Sequence, residues 1–122
     1  MYKVSVEASF SAAHRLKNYP GRCESLHGHN WRVAVTVGSK RLDRVGMVMD
    51  FREMKKRLNE VLDELDHRCL NNLSYFKRHN PTSENVARYV YQRMRSRLGA
   101  SFKISKVTVW ETDASWASYE KD

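Results

Sequence analysis

The 122-residue sequence has only two cysteines, Cys23 and Cys69, which excludes a disulfide framework and suits a reducing compartment. It has no hydrophobic leader and no apolar run of membrane-spanning length, so a soluble, cytoplasmic protein is expected. Internal repeats, low-complexity tracts and linker-like stretches are also missing. Residues 1–122 are therefore expected to fold as a single domain around one core. Negative charge is scarce: 14 acidic residues against 22 basic ones leave a formal net charge of +8. Such a surplus either merely solvates the surface or attracts a polyanion, whether nucleic acid, a membrane surface or a phosphorylated small molecule.

What is present is strongly patterned. Tyr2, Val4, Val6, Ala8, Phe10 and Ala12 alternate with polar or small residues, the period of a strand with one buried face, and His14 continues their parity. Asn18, Pro20 and Gly21 mark a loop over 15–26. Alternation resumes with His27, His29, Trp31, Val33, Val35 and Val37, a second strand led by two histidines. Asp50 and Glu53 resemble a capping pair, and Phe51, Met54, Leu58, Val61, Leu62 and Leu65 follow at helical spacing, which predicts a helix over residues 51–65. Asn80-Pro81-Thr82-Ser83-Glu84 reads as a second helix start, with an apolar stripe of Val86, Tyr89, Val90, Met94 and Leu98 that Gly99 stops. Phe102 to Tyr119 is β-rich, with a turn near Asp113. The order ββααββ predicts an α+β fold and excludes a doubly wound parallel sheet.

If the first two strands form an antiparallel hairpin, the end of one lies beside the start of the other, and His14 meets His27 and His29. Residues two apart on a strand share a face, so the three imidazoles can converge on one point. Three protein ligands with a fourth position left open is the pattern of a catalytic zinc site. The bland alternative is a set of histidines satisfied by backbone groups at a strand end. Cys23, four residues before His27, reads either as a thiolate base or as a fourth, structural ligand that would close the site. Cys69 reads as a small buried hydrophobe. Taken alone, the Asp66-His67 pair reads as a helix end favoured by the helix dipole. Glu111 ends a hydrophobic run, either solvated or reading the donor edge of a heterocycle.

Five segments, taken in order, resemble the motifs of the 6-pyruvoyltetrahydropterin synthase superfamily: Phe10-Ser11-Ala12-Ala13-His14, Cys23 to His29, Leu65-Asp66-His67, Pro81-Thr82-Ser83-Glu84-Asn85 and Trp110-Glu111-Thr112. The resemblance implies the tunnelling fold, an antiparallel sheet with two helices on one face. It further implies trimeric barrels stacked into a homohexamer with active sites at subunit contacts. It assigns zinc to His14, His27 and His29, the role of base to Cys23, and a proton shuttle to Asp66 and His67. Glu111 would anchor the pterin and join the proton relay, with Thr82 and Glu84 lining the same pocket. Basic residues at the mouth would meet a triphosphate.

Three residues separate Cys23 from His27, the spacing of the bacterial 6-carboxytetrahydropterin branch; the animal pyruvoyl branch carries a longer insert. The bacterial branch implies a lyase of queuosine biosynthesis that converts 7,8-dihydroneopterin triphosphate to 6-carboxytetrahydropterin. A related aldolase branch has glutamate in place of the cysteine, and here Glu24 stands beside a cysteine that is present. The tail Tyr119-Glu120-Lys121-Asp122 lacks the glycine expected after the tyrosine. Two readings compete with the enzyme. One is a basic nucleic-acid-binding module stacking bases on Trp31, Tyr75 and Tyr91, and the other is a zinc-stabilised structural protein.

Overall fold

The computed structural model describes residues 1–18 and 25–121. Strands β1 (Tyr2–His14) and β2 (His27–Ser39) pair antiparallel from Tyr2↔Ser39 to His14↔His27. Their alternation has the expected consequence. Val6, Phe10, Ala12 and His14 of β1 and Trp31, Val33, Val35 and Val37 of β2 turn to one buried face. Strand β4 (Lys103–Thr112) pairs antiparallel with β2, and β5 (Ser115–Tyr119) with β4 across a turn at residues 113–114.

Helices α1 (Phe51–Leu62) and α3 (Ser83–Leu98) cover the buried face. Asp50 caps α1 by accepting from Arg52 N at 2.8 Å, but Glu53 pairs with Arg57 at 2.9 Å, so the reciprocal half of the capping pair does not form. Met54, Leu58, Val61, Leu62 and Leu65 enter the core, whereas Phe51, expected in that stripe, is 57% exposed. Each fully buried aliphatic side chain there contributes about 1.5–3 kcal/mol. Beyond Leu62 the helix continues only as tight turns to Asp66. Thr82 caps α3 by accepting from Asn85 N at 3.1 Å, and Gly99, with φ 76°, ends it.

Glu64 clamps the two helices together. It accepts two hydrogen bonds from Arg93 at 2.9 Å each, one from Tyr89 at 2.6 Å and one from Arg97 at 3.2 Å. The Arg93 guanidinium, helped by Tyr89 and Arg97, lowers the Glu64 carboxyl to about 2.

Two features depart from ββααββ. Strand β3 (Arg68–Cys69) joins the edge of β1 in parallel, giving the sheet order β3-β1-β2-β4-β5, so the sheet is mixed rather than purely antiparallel. A 3₁₀ turn, Leu70–Asn72, and a short helix α2 (Ser74–Arg78) then lead to α3. Cys69 is half-buried, with Sγ 3.9 Å from Asn71 Oδ1. Among the described residues no helix is long and apolar enough to cross a membrane.

Candidate metal centre and cleft

The β1–β2 register sets His14 opposite His27 and Ala12 opposite His29, so the three imidazoles gather at one end of the helix-covered face. His14 Nε2 lies 3.1 Å from His27 Nε2. Glu111 Oε1 approaches from β4, 3.0 Å from His14 Nε2 and 3.5 Å from His29 Nε2. The potential ligand atoms of these four residues all lie within 4.8 Å of one another.

The outer nitrogens fix the tautomers of two of the rings. Pro81 O accepts from His14 Nδ1 at 2.8 Å, and Ser25 O accepts from His27 Nδ1 at 2.7 Å. Carbonyls take protons and give none, so in the neutral rings both Nε2 atoms present lone pairs to the cluster. Acceptors packed this closely, with a carboxylate among them, repel one another unless a cation sits between them. The donor set of imidazole nitrogens and one carboxylate oxygen fits a divalent ion such as zinc. Backbone partners do satisfy His14 and His27, as the bland reading expected, but only at Nδ1. The same bonds orient Nε2 for a metal. His14 is 1% exposed and packs edge-on against Trp31, whose Nε1 donates to Ala12 O at 3.2 Å.

Asp66 and His67 lie on a reversal after α1 rather than at a helix end, and His67 has φ 57°. The reversal extends the edge pairing of β1. Ser11 N donates to Asp66 Oδ1 at 2.9 Å, and His67 N donates to Ser11 O at 2.6 Å. Asp66 Oδ2 is 2.9 Å from His67 Nδ1. The Ser11 N–H, reinforced by His67, holds the Asp66 carboxyl below its usual range. His67 is 83% exposed and lines an open cleft of about 470 Å³ with Ser11, Ala13, His29, Asn30 and Arg68.

Two asparagines steady the chain as it leaves His14. Asn71 accepts from Arg15 N at 2.9 Å and donates to Arg15 O at 2.8 Å. Asn80 does the same for Lys17, at 2.8 and 2.9 Å. Of the other expected site residues, Thr82 spends its hydroxyl on the α3 cap, Glu84 is exposed in the first turn of α3, and Cys23 lies outside the described residues.

Sequence reasoning missed three features: the meeting of Glu111 with the histidines, the two carbonyls behind the rings and the asparagine clamps. Glu111 had a readable signal, because it continues the inward parity of Val107 and Val109. The nucleic-acid reading loses two of its three stacking residues, since Trp31 is 0% and Tyr91 7% exposed, and Tyr75 is half-buried.

A profile described as 6-pyruvoyl tetrahydropterin synthase matches residues 3–122. A dihydroneopterin monophosphate aldolase of Pyrococcus furiosus is 38% identical over 109 residues, covering 89% of each chain. A 6-carboxy-5,6,7,8-tetrahydropterin synthase of Synechocystis is 37% identical over 124 residues, covering 98% of this chain and 93% of its own. The solved structure of a Caenorhabditis elegans 6-pyruvoyl tetrahydropterin synthase superimposes with a TM-score of 0.85 at 34% identity, over 100% of this chain and 98% of that one. Three differently named activities thus stand at nearly equal identity.

Proposed function

The chain belongs to the 6-pyruvoyl tetrahydropterin synthase family, and from that membership we propose a zinc-dependent lyase that converts 7,8-dihydroneopterin triphosphate and water to 6-carboxy-5,6,7,8-tetrahydropterin, releasing acetaldehyde and triphosphate. The observation that carries this reading is the convergence of His14, His27 and His29 beside a cleft that His67 also lines. In this reading the enzyme works in the cytoplasm as a homohexamer and supplies queuosine biosynthesis.

Zinc on His14, His27 and His29 would act as a Lewis acid, making the hydroxyl-bearing side chain of the substrate more acidic. The remaining work falls to the protein's own groups. Asp66 Oδ2 accepts from His67 Nδ1, which leaves Nε2 of that ring as the atom that takes up or delivers a proton in the cleft. Cys23 is assigned removal of a substrate side-chain proton, supported by its place four residues before a metal-site histidine. Glu111 is assigned the amino edge of the pterin and a part in the proton relay; its position against His14 and His29 supports a place beside the reacting side chain. Thr82 and Glu84 line the same pocket in this reading.

The branch rests on the three residues between Cys23 and His27. The similarity to the Pyrococcus aldolase favours a second reading, aldol cleavage of a dihydroneopterin phosphate, and the Caenorhabditis structure favours a third, triphosphate elimination to 6-pyruvoyltetrahydropterin. Purified protein with zinc and 7,8-dihydroneopterin triphosphate, followed by mass spectrometry of the pterin and an acetaldehyde assay, separates them. The carboxy product with acetaldehyde supports the proposal. A pyruvoyl product, or a hydroxymethyldihydropterin with a glycolaldehyde that still carries the triphosphate, moves the chain to one of the other branches.

A further inference from the structure

The cleft has one permanently charged cation among its lining residues, Arg68. Its backbone is fixed, because Arg68 pairs with Ala12 in the β3–β1 ladder directly after the Asp66-His67 reversal. Its side chain is exposed and, among the described residues, belongs to no ion pair. Arg32, Arg52, Arg57, Arg93 and Arg97, by contrast, each face a carboxylate. The nearest carboxylate in sequence, Asp66, is already committed to Ser11 N and His67 Nδ1. An uncommitted guanidinium on a rigid base beside a proton-shuttling histidine is a ready fork for two phosphate oxygens.

We infer that Arg68 is the phosphate-binding residue of this cleft, gripping the phosphate chain of the substrate while the hydroxyl-bearing carbons of its side chain face the histidines. The inference rests on the reading of the site as one for a phosphorylated dihydropterin. A substrate whose reacting carbons lie among the histidines must send its phosphate end outward, and Arg68 stands on the wall it would pass. Loss of the grip weakens binding of the phosphorylated substrate and leaves binding of its unphosphorylated counterpart as it was.

The test compares wild type, Arg68→Ala and Arg68→Lys by calorimetric titration with inorganic triphosphate, by steady-state kinetics with 7,8-dihydroneopterin triphosphate, and by the inhibition constant of unphosphorylated dihydroneopterin against that substrate. Arg68→Ala is expected to weaken triphosphate binding and to raise KM for the phosphorylated substrate by about tenfold or more, the worth of one charged hydrogen-bond pair. The inhibition constant of unphosphorylated dihydroneopterin is expected not to change, and Arg68→Lys recovers part of the loss. Equal triphosphate affinity in wild type and Arg68→Ala overturns the inference, as does equal weakening of the phosphorylated and the unphosphorylated pterin. If wild type does not turn over 7,8-dihydroneopterin triphosphate yet binds triphosphate through Arg68, the proposed reaction fails and the phosphate site stands.

Discussion

Replacing His67 by glycine separates the chemistry of the cleft from its architecture. The side chain is 83% exposed, so its loss leaves no cavity. The backbone sits at φ 57°, where a residue with a Cβ is strained by about 1–2 kcal/mol and glycine is not. Against that relief stand the extra chain entropy of glycine, about 0.5–1 kcal/mol, and the loss of an exposed pair with Asp66 that water largely screens. The terms nearly cancel. His67→Gly should melt within about 4 °C of wild type, since about 1 kcal/mol moves a domain of this size by roughly that much. Turnover should nonetheless fall by about 10²- to 10⁴-fold, the usual contribution of a general acid–base group. Calorimetry and single-turnover assays on the same preparation read both quantities. Unimpaired turnover would refute the shuttle, and a large drop in melting temperature would show that the side chain is structural.

The metal cluster and the helix clamp yield further expectations. His14→Ala should remove bound zinc, measured by elemental analysis, and abolish turnover, while Cys23→Ala should keep zinc and lose turnover; normal rates in the cysteine variant would remove the base assignment. Chelation of wild type should abolish activity and leave circular dichroism native, whereas unfolding on chelation would favour a structural zinc protein. For Glu64, lowered from 4.5 to about 2, the carboxylate stabilises the fold above its unfolded value, and that stability drains away as pH falls from 4.5 towards 2. Because Arg93 is 42% exposed, screening trims the effect to about 1 kcal/mol. Glu64→Gln should therefore unfold at lower denaturant at pH 7 and match wild type near pH 2.

The parts of the fold visible in the sequence were those governed by local periodicity. The period-2 alternation of residues 2–14 and 27–37 gave both strands, and one reversal between them was enough to bring His14 to His27 and His29. Strand β3 was invisible because two residues cannot display a period, and its pairing depends on a positive φ at His67 that histidine does not advertise. Phe51 occupied a helical stripe position but stays 57% exposed, because at the first turn of α1 it lines an open cleft with Ser5, Val6 and Glu7 of β1 instead of entering the core. The approach of Glu111 to His14 depends on the pairing of Arg32 with Trp110, a register between strands far apart in the chain that no short-range pattern encodes.

The amides of Asn71 and Asn80 offer Arg15 and Lys17 the same donor and acceptor that a neighbouring strand would. The segment that departs from His14 is thereby moored twice before the chain reaches residue 19. Strain arriving from beyond Lys17 meets both side-chain anchors before it reaches the buried imidazole of His14.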